Sequence, residues 1–315
     1  MARPPATALN VDPLLLGLIV LTAATWLGVA RRSEERTTPG RRIALGTALA
    51  LLVAIWITPL ATLAEHYLLA AHLLQVLILM GPVPPLLLLA LPTNAGISPK
   101  SVPLPLRLAV HPIAAIIAVN AGFIIWHITP AYDAALANQW LYDLMQATLL
   151  LVSLLFWWPI VTPCSPPARA LTGFSKLGYI LLATIPQTLG GLLVALAGHI
   201  LYPGYGDGPQ LIGVDAMTDQ QIAGASIALV SKIALFAAFW VVFMNLLNSG
   251  SDGREDDGGG DGGGGGGSSP RLDAPRPRPS GLPRWLDDVG DGRTTDEPVV
   301  PRPVRVPAGS GSRQA

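Results

Sequence analysis

Four of the five histidines in this chain stand in or beside long apolar segments, close to tyrosines and carboxylates. They are His66, His72, His127 and His199. Imidazole and carboxylate groups together suit copper, zinc and other borderline cations. His72 lies inside one apolar segment, His127 closes the next one, and Asp133 follows six residues later. The pattern therefore indicates a metal site formed by His72, His127 and Asp133. Further candidate ligands are Tyr132 and His66.

His72 differs from the other histidines because it lies one or two turns inside its apolar segment. A polar side chain at that depth in a bilayer is costly, and such residues are generally functional. His66 and His199 lie at segment ends, where histidine more often anchors a helix in the headgroup region. We therefore expect His72 to have a functional role.

The segment that contains His72 runs from Glu65 to Pro92 and is long enough to cross a bilayer as a helix. It is interrupted by Gly81, Pro82, Pro84 and Pro85. Pro84 and Pro85 lack backbone donors, which predicts that the helix kinks or stops there. Carbonyls freed by a break need partners from neighbouring helices, because lipid supplies none. The segment is therefore predicted to be central in a helix bundle.

The chain as a whole predicts an all-α, polytopic membrane bundle of about seven helices over residues 1–247. Hydrophobic residues make up 51% of the sequence, and they are concentrated before residue 248. The predicted spans are Pro13–Ala30, Ile43–Leu63, Tyr67–Leu91, Leu108–Trp126, Leu141–Val161, Leu177–Ala197 and Gln221–Leu247. Residues 248–315 are rich in Gly, Pro, Asp and Arg, and we expect them to form a disordered cytoplasmic tail.

Basic residues in alternate loops predict the orientation. The loop between the first two spans contains five arginines, whereas the loops beside Glu65, His127 and His199 contain no Lys or Arg. The positive-inside rule then places the N-terminus outside, the tail in the cytoplasm and four histidines toward the outer face. His111 is predicted to lie on the cytoplasmic side.

Other features narrow the function further. The single cysteine excludes an intramolecular disulfide, and no nucleophile–base pair or metalloprotease motif is present, so we predict that the chain is not an enzyme. We expect the lipid bilayer as a partner, and no nucleic acid. Lys232 lies within the seventh predicted span, where a charge needs a partner or a site in the bundle interior. Gly190 and Gly191 predict a close approach of two helices.

Several motifs in order resemble the CtaG-type cytochrome c oxidase assembly factors over roughly residues 60–245. They are AHLLQ, GPVPPLLLLALP, HPIAAIIAVNAGFIIWHITPAYDAAL, LLFWWPI, LYPGY and DQQIAG. Besides His127, Tyr132 and Asp133, the residues that carry the match are His111, Trp126, Pro130, Trp157, Trp158, Pro159, Tyr202, Tyr205, Asp219, Gln220 and Gln221. The first span and the tail lie outside this resemblance.

The resemblance implies a bacterial plasma-membrane protein that assembles haem–copper oxidases by helping copper reach its oxidase site. Its implied partners are oxidase subunits or other assembly factors, and its implied ligand is copper. The family typically carries two His-x-x-x-His pairs, but here only His72 remains, with Val76, Tyr142 and Gln146 at the other three positions. Two alternatives to copper delivery stay open: a metal-free paralogous scaffold, and a small-solute or ion transporter that uses the broken third span and Lys232.

Overall fold

Helices form about four-fifths of the chain that the computed structural model describes, and no strand occurs among these residues. The described residues are 3–33, 37–92, 108, 110–161, 171, 173–229, 236, 239, 240, 243, 244 and 247. The longer helices are α1 (Pro13–Arg32), α2 (Pro39–Trp56), α4 (Leu69–Met80), α6 (Pro112–His127), α8 (Gln139–Val161), α9 (Gly173–Leu196) and α11 (Ala216–Leu229). The shorter ones are α3 (Pro59–His66), α5 (Val83–Ala90), α7 (Thr129–Ala137), a 3₁₀ turn (Pro203–Tyr205) and α10 (Gly208–Leu211).

Five helical stretches among the described residues are long and apolar enough to cross a membrane. They are Pro13–Arg32, Pro39–Trp56, Leu69–Ala90, Gln139–Val161 and Ser175–Leu196. The pair α6 and α7 is bent by 69° and makes a sixth candidate if it counts as one span. The prediction of an all-α membrane bundle is thus confirmed. Part of the seventh predicted span, including Lys232, and the whole tail lie outside the described residues.

The second span is shorter than predicted and ends at Trp56 instead of Leu63. The Thr58 hydroxyl accepts a hydrogen bond from the Leu60 backbone N–H, and Pro59 occupies the first position of α3. Threonine followed by proline is a typical helix start. Hydropathy predicted one continuous span here, but the cap at Thr58 ends α2 and starts a separate helix, α3.

The third span is broken, as the sequence predicted. The break lies before Pro84 and Pro85, the residues expected to cause it. α4 ends at Met80 and α5 begins at Val83, so the break lies at Gly81 and Pro82. A Cβ on Gly81 would lie 2.7 Å from the Leu77 carbonyl oxygen, so only glycine fits this backbone. Pro84 and Pro85, predicted to cause the break, instead lie in the first turn of α5, where a helix needs no donors.

Neighbouring helices cover the carbonyls that the break and the helix end leave free. The Trp157 indole N–H donates to the Met80 carbonyl at 3.0 Å, and the Trp26 indole N–H donates to the Ala90 carbonyl at 2.8 Å. Indole groups supply here the donors that lipid does not. The span formed by α4 and α5 packs against α2, α8 and α11, which gives it the predicted central position.

Helices α9 and α11 approach each other closely at Gly191 and Gly224. A Cβ on Gly224 would lie 2.5 Å from the Gly191 carbonyl oxygen, and one on Gly191 would lie 2.8 Å from the Gly224 carbonyl oxygen. Glycine at both positions allows this backbone contact. The prediction is confirmed for Gly191, whereas Gly190 faces open space.

The N-terminal segment, residues 3–12, lies across the predicted outer ends of the helices. The Pro4 carbonyl accepts from the Tyr67 hydroxyl at 2.6 Å, and the Ala8 carbonyl accepts from the Thr62 hydroxyl at 2.9 Å. Arg3 pairs with Asp207. These contacts hold the segment against α3 and the connection before α10.

Candidate functional site

His72 is positioned by the first turn of α4. The first helical N–H groups, those of Leu69 and Ala70, donate to Asp219 Oδ2 at 2.8 Å and to Asp219 Oδ1 at 3.0 Å. Asp219 therefore caps α4 from 150 residues away along the chain. The backbone N–H of His72 donates to the Leu68 carbonyl, and the His72 side chain is fully buried.

His127 is the last residue of α6, at the point where the chain bends into α7. Its Nδ1 lies 2.7 Å from the Phe123 carbonyl oxygen, and its ring stacks on Phe123 at a centroid distance of 4.3 Å. A carbonyl oxygen can only accept, so Nδ1 carries the proton and Nε2 carries a lone pair. The ring is held in one tautomer and one orientation.

The rings of His72 and His127 lie close together, with centroids 5.5 Å apart and planes inclined by 41°. The sequence analysis assigned these two imidazoles to one site, and the structure places them side by side. Their identity as metal ligands stays a prediction.

A chain of buried amide and hydroxyl groups fixes the tautomer of His72. At one end, the Gln75 amide N–H donates to the Ile55 carbonyl oxygen at 2.6 Å, which assigns the amide orientation. Gln75 Oε1 then accepts from the Tyr142 hydroxyl at 2.9 Å and from the Gln146 amide at 2.9 Å. At the other end, the donor-only indole of Trp56 donates to Gln146 Oε1 at 3.2 Å.

This assignment leaves the Tyr142 oxygen as an acceptor toward His72. The one hydroxyl proton of Tyr142 is used in the bond to Gln75, and His72 Nδ1 lies 3.5 Å from the Tyr142 oxygen, at the long limit of a hydrogen bond. The Gln75 side chain is a second hydrogen-bonding neighbour of His72. His72 Nδ1 is therefore the donor, and its Nε2 carries a lone pair. Both histidines of the pair thus present Nε2 as an acceptor.

Neither Nε2 atom has a partner. His72 Nε2 and His127 Nε2 are buried, and no group among the described residues forms a hydrogen bond with either atom. An unpaired buried acceptor is costly, so a site of this kind is suited to a cation or to a donor such as water. Two unpaired acceptors in neighbouring buried rings form the most distinctive chemical feature in the described part of the chain.

Tyr132 lies against both imidazoles. Its ring centroid is 4.8 Å from that of His72 and 6.1 Å from that of His127, and its side chain is fully buried. The Tyr205 hydroxyl donates to the Ala64 carbonyl at 2.6 Å, so the Tyr132 hydroxyl donates to the Tyr205 oxygen, also at 2.6 Å. Tyr132 is thus held in place as a cover over the histidine pair.

The other predicted ligands lie apart from the pair. Asp133 Oδ1 is buried beside Gly204 and has no partner among the described residues. His66 Nε2 lies 3.7 Å from Glu65 Oε1. Within the described part of the chain, no group of three or more His, Cys, Asp or Glu side chains is placed to hold an ion. The geometry therefore offers two nitrogens, without a carboxylate.

The family-motif residues support the site from several directions. The Tyr202 hydroxyl donates to the His127 carbonyl at 2.6 Å, and the Trp126 indole donates to Thr148 at 2.8 Å. Gln220 accepts from the Leu201 N–H at 2.6 Å and donates to the His199 carbonyl at 3.0 Å. These bonds hold the loop before α10 against the ends of α6 and α11.

The remaining motif residues have structural positions. His111 is the N-cap of α6, Pro130 lies in the first turn of α7, and Pro159 lies near the end of α8. Trp158 is partly buried and packs against an apolar cluster, and Gln221 is exposed. The structure does not bring any of these five residues into contact with the histidine pair.

A cavity of about 230 Å³ lies beside the Tyr132 cover. Its walls include Leu69, Tyr202, Tyr205, Asp219 and Gln220. The same side chains that cap α4 and hold the cover thus also line a depression on the predicted outer side.

A cluster of carboxyl groups lies at the predicted outer ends of α1, α3 and α8. Glu65 accepts a hydrogen bond from the Asn10 amide at 3.2 Å. Burial, followed by the charges of Asp143 and Asp12, raises the pKa of Glu65 to about 7. Glu65 therefore titrates near neutral pH.

Sequence reasoning missed the polar chain behind His72. Gln75 lies three residues after His72, and Tyr142 and Gln146 are four residues apart on α8, so each set shares one helix face. Their positions inside apolar segments were the signal. The sequence indicated Tyr142 and Gln146 only as positions where ligands are missing, whereas in the structure they form the polar chain beside His72.

Comparison with known proteins agrees with this architecture. The family model described as cytochrome c oxidase caa3 assembly factor (Caa3_CtaG) matches residues 22–249. The match begins within α1, so it extends further toward the N-terminus than the resemblance predicted from motifs. No curated protein and no solved structure matches the chain.

Proposed function

We propose that this chain, which belongs to the cytochrome c oxidase caa3 assembly factor family, is a non-enzymatic assembly factor that delivers copper to a haem–copper oxidase. Delivery takes place at the extracytoplasmic face of the bacterial plasma membrane. The partners are oxidase subunits or other assembly factors, together with the surrounding bilayer.

One observation carries the proposal. The Nε2 atoms of His72 and His127 are buried without partners, in rings whose centroids are 5.5 Å apart. A metal–imidazole bond is about 2 Å long, so rings at this separation leave room for one ion between them. The donor set suits copper, because imidazole nitrogen binds copper well.

The site is suited to transfer. Two ligands leave coordination positions open for a ligand of the receiving protein, in contrast to the closed four-ligand sets of structural metal sites. Tyr132 lies over the pair, and its hydroxyl forms one hydrogen bond, to Tyr205. Tyr205 also lines the neighbouring cavity, where a partner protein has access to this cover. The copper ion is cargo and leaves with the oxidase.

A transporter is the less favoured alternative. A transporter would move its solute past the break in the third span. At this break, however, the Trp157 indole donates a hydrogen bond to the Met80 carbonyl. The break therefore serves helix packing. A metal-free scaffold remains the principal alternative, and it predicts that the histidine pair is dispensable.

The proposal is tested in cells that contain a caa3-type oxidase and lack this protein. Wild type, His72→Ala, His127→Ala and His199→Ala are expressed from the same locus, and the copper-to-haem ratio of purified oxidase is measured. His199 is exposed and belongs to no ligand group, so His199→Ala is the matched control.

The expected result is a copper-deficient oxidase with His72→Ala and His127→Ala, partly restored by added copper, and a normal oxidase with His199→Ala. Normal copper content with both site variants contradicts copper delivery and supports the scaffold. If no oxidase is found with any of the three variants, the variants have lost a general assembly function, and the histidine pair has no specific role in copper delivery.

A further inference from the structure

We infer that the ion held between His72 and His127 is cuprous, that it is coordinated by these two nitrogens alone, and that Tyr142 positions His72 to bind it. The inference rests on the proposed function in taking the histidine pair as the cargo site. It goes further by assigning the oxidation state, the coordination number and a positioning residue.

The number of donors is the first argument. Zn²⁺ in proteins takes four ligands in a tetrahedron, and Cu(II) prefers a tetragonal set of nitrogen and oxygen. Within the described residues the site offers two free nitrogens, and no third His, Cys, Asp or Glu joins them. Cu(I) and its chemical substitute Ag(I) are d¹⁰ ions that bind stably with as few as two donors.

Charge is the second argument. Both imidazoles are neutral in the assigned tautomers, and His72 is fully buried beneath Tyr132. The cost of placing an ion in a low-dielectric interior rises with the square of its charge, so a divalent ion is penalised about four times as strongly as a monovalent one. Without a carboxylate to compensate, the pair favours a monovalent cation.

The nearby hydroxyl groups do not enlarge the donor set. The Tyr132 hydroxyl is bonded to Tyr205, and the Tyr142 hydroxyl to Gln75. Each is a neutral phenol whose proton is already donated. Tyr142 acts instead through its oxygen, which accepts from His72 Nδ1 and keeps the Nε2 lone pair available for the ion.

Anaerobic titration of the full chain in detergent tests the assignment. Cu(I) is titrated against a chromophoric cuprous chelator, Ag(I) serves as a second probe, and Cu(II) and Zn(II) are titrated separately. We expect one Cu(I) or Ag(I) per chain, with Cu(II) and Zn(II) bound at least about 100-fold more weakly because both lack their preferred ligand number. X-ray absorption of the Cu(I) form should show two nitrogen neighbours.

The variants identify the residues. His72→Ala and His127→Ala should each lower Cu(I) affinity by more than about 100-fold, the upper end of the effect of losing an outer-shell partner. Tyr142→Phe should lower it by about 10–100-fold. Tyr179→Phe is the matched control, because Tyr179 is a buried tyrosine that donates to the Phe156 carbonyl in a separate cluster. Thermal melting in detergent verifies that each variant is folded.

Tighter binding of Zn(II) or Cu(II), three or more ligands to Cu(I), or Cu(I) affinity unchanged in both histidine variants overturns the inference. Equal effects of Tyr142→Phe and Tyr179→Phe overturn the positioning role. The proposed function can fail separately. If the chain binds Cu(I) as expected but the histidine variants still give a fully metallated oxidase, the cuprous site exists and does not serve this oxidase.

Discussion

Asp219 caps the helix that begins at Leu69: its Oδ2 accepts the Leu69 backbone N–H at 2.8 Å, and both residues are buried. The two positions are far apart in the chain, so this bond connects the start of α11 to the helix that carries His72. In a bilayer interior the uncapped N–H groups of α4 would have no other partner.

Replacing Asp219 with Ala should therefore destabilise the fold by about 1–3 kcal/mol, the usual cost of leaving buried donors unsatisfied. The measurement is thermal or denaturant unfolding in detergent. Asp215→Ala is the control, because Asp215 caps α11 at an exposed position. A loss for Asp219→Ala no larger than that for Asp215→Ala would contradict the role assigned to this carboxylate.

Gly224→Ala should also destabilise the protein by about 1–3 kcal/mol, because its Cβ enters the backbone of α9 at Gly191 and forces the helices apart. Gly190→Ala, one residue from the contact, faces open space and should stabilise by up to about 1 kcal/mol through helix propensity. The same unfolding assay compares both variants. Equal effects would show that the close contact does not govern the packing.

Stability should fall as pH rises through the titration range of Glu65. Its folded pKa is about 7 against an ordinary value of 4.5, so between these values the native state binds more protons than the unfolded state. The loss amounts to about 3 kcal/mol across this window at about 1.4 kcal/mol per unit, and it is complete above pH 7. The Glu65 side chain is 9% exposed, so solvent screening is limited.

Glu65→Gln should remove this pH dependence and make the protein more stable than wild type at pH 8, since an amide keeps the hydrogen bond from Asn10. Asp215→Asn, which removes an exposed carboxylate, is the control. Unfolding is measured between pH 4.5 and 8. An unchanged slope in Glu65→Gln would assign the pH dependence to other groups.

The predicted orientation, N-terminus outside and tail inside, is tested by reporter fusions after Leu247. A fluorescent protein that folds only in the cytoplasm should be active there, and alkaline phosphatase should be inactive. The physical reason is the concentration of arginine in alternate loops. Phosphatase activity at this site would reverse the orientation and place the histidine pair at the cytoplasmic face.

Truncation after Ser249 should leave membrane insertion and melting temperature unchanged, because the removed residues have little apolar surface to bury. Membrane fractionation and detergent melting provide the comparison with the full chain. A large loss of folded protein would show that part of the tail packs on the bundle.

Hydropathy predicted the helical class and most of the spans, because these depend on patterns local to a segment. The proximity of His72 and His127 followed from the tendency of consecutive spans to pack together. The boundaries at Thr58 and Gly81 required capping and backbone sterics, which hydropathy does not express. The Asp219 cap joins residues 150 positions apart, and the bonds from Gln75 to Tyr142 and Gln146 join residues 67 and 71 positions apart. Only the three-dimensional packing specifies which distant polar groups meet.

The Gln75 amide has a consequence for how the protein assembles in the membrane. It bonds to α2 through Ile55 and to α8 through Tyr142 and Gln146, so three spans meet at one polar side chain. A shift of any of them by one helical turn would strand several of these groups in a hydrocarbon environment. The bonds of Gln75 thus fix the depth of three spans relative to one another.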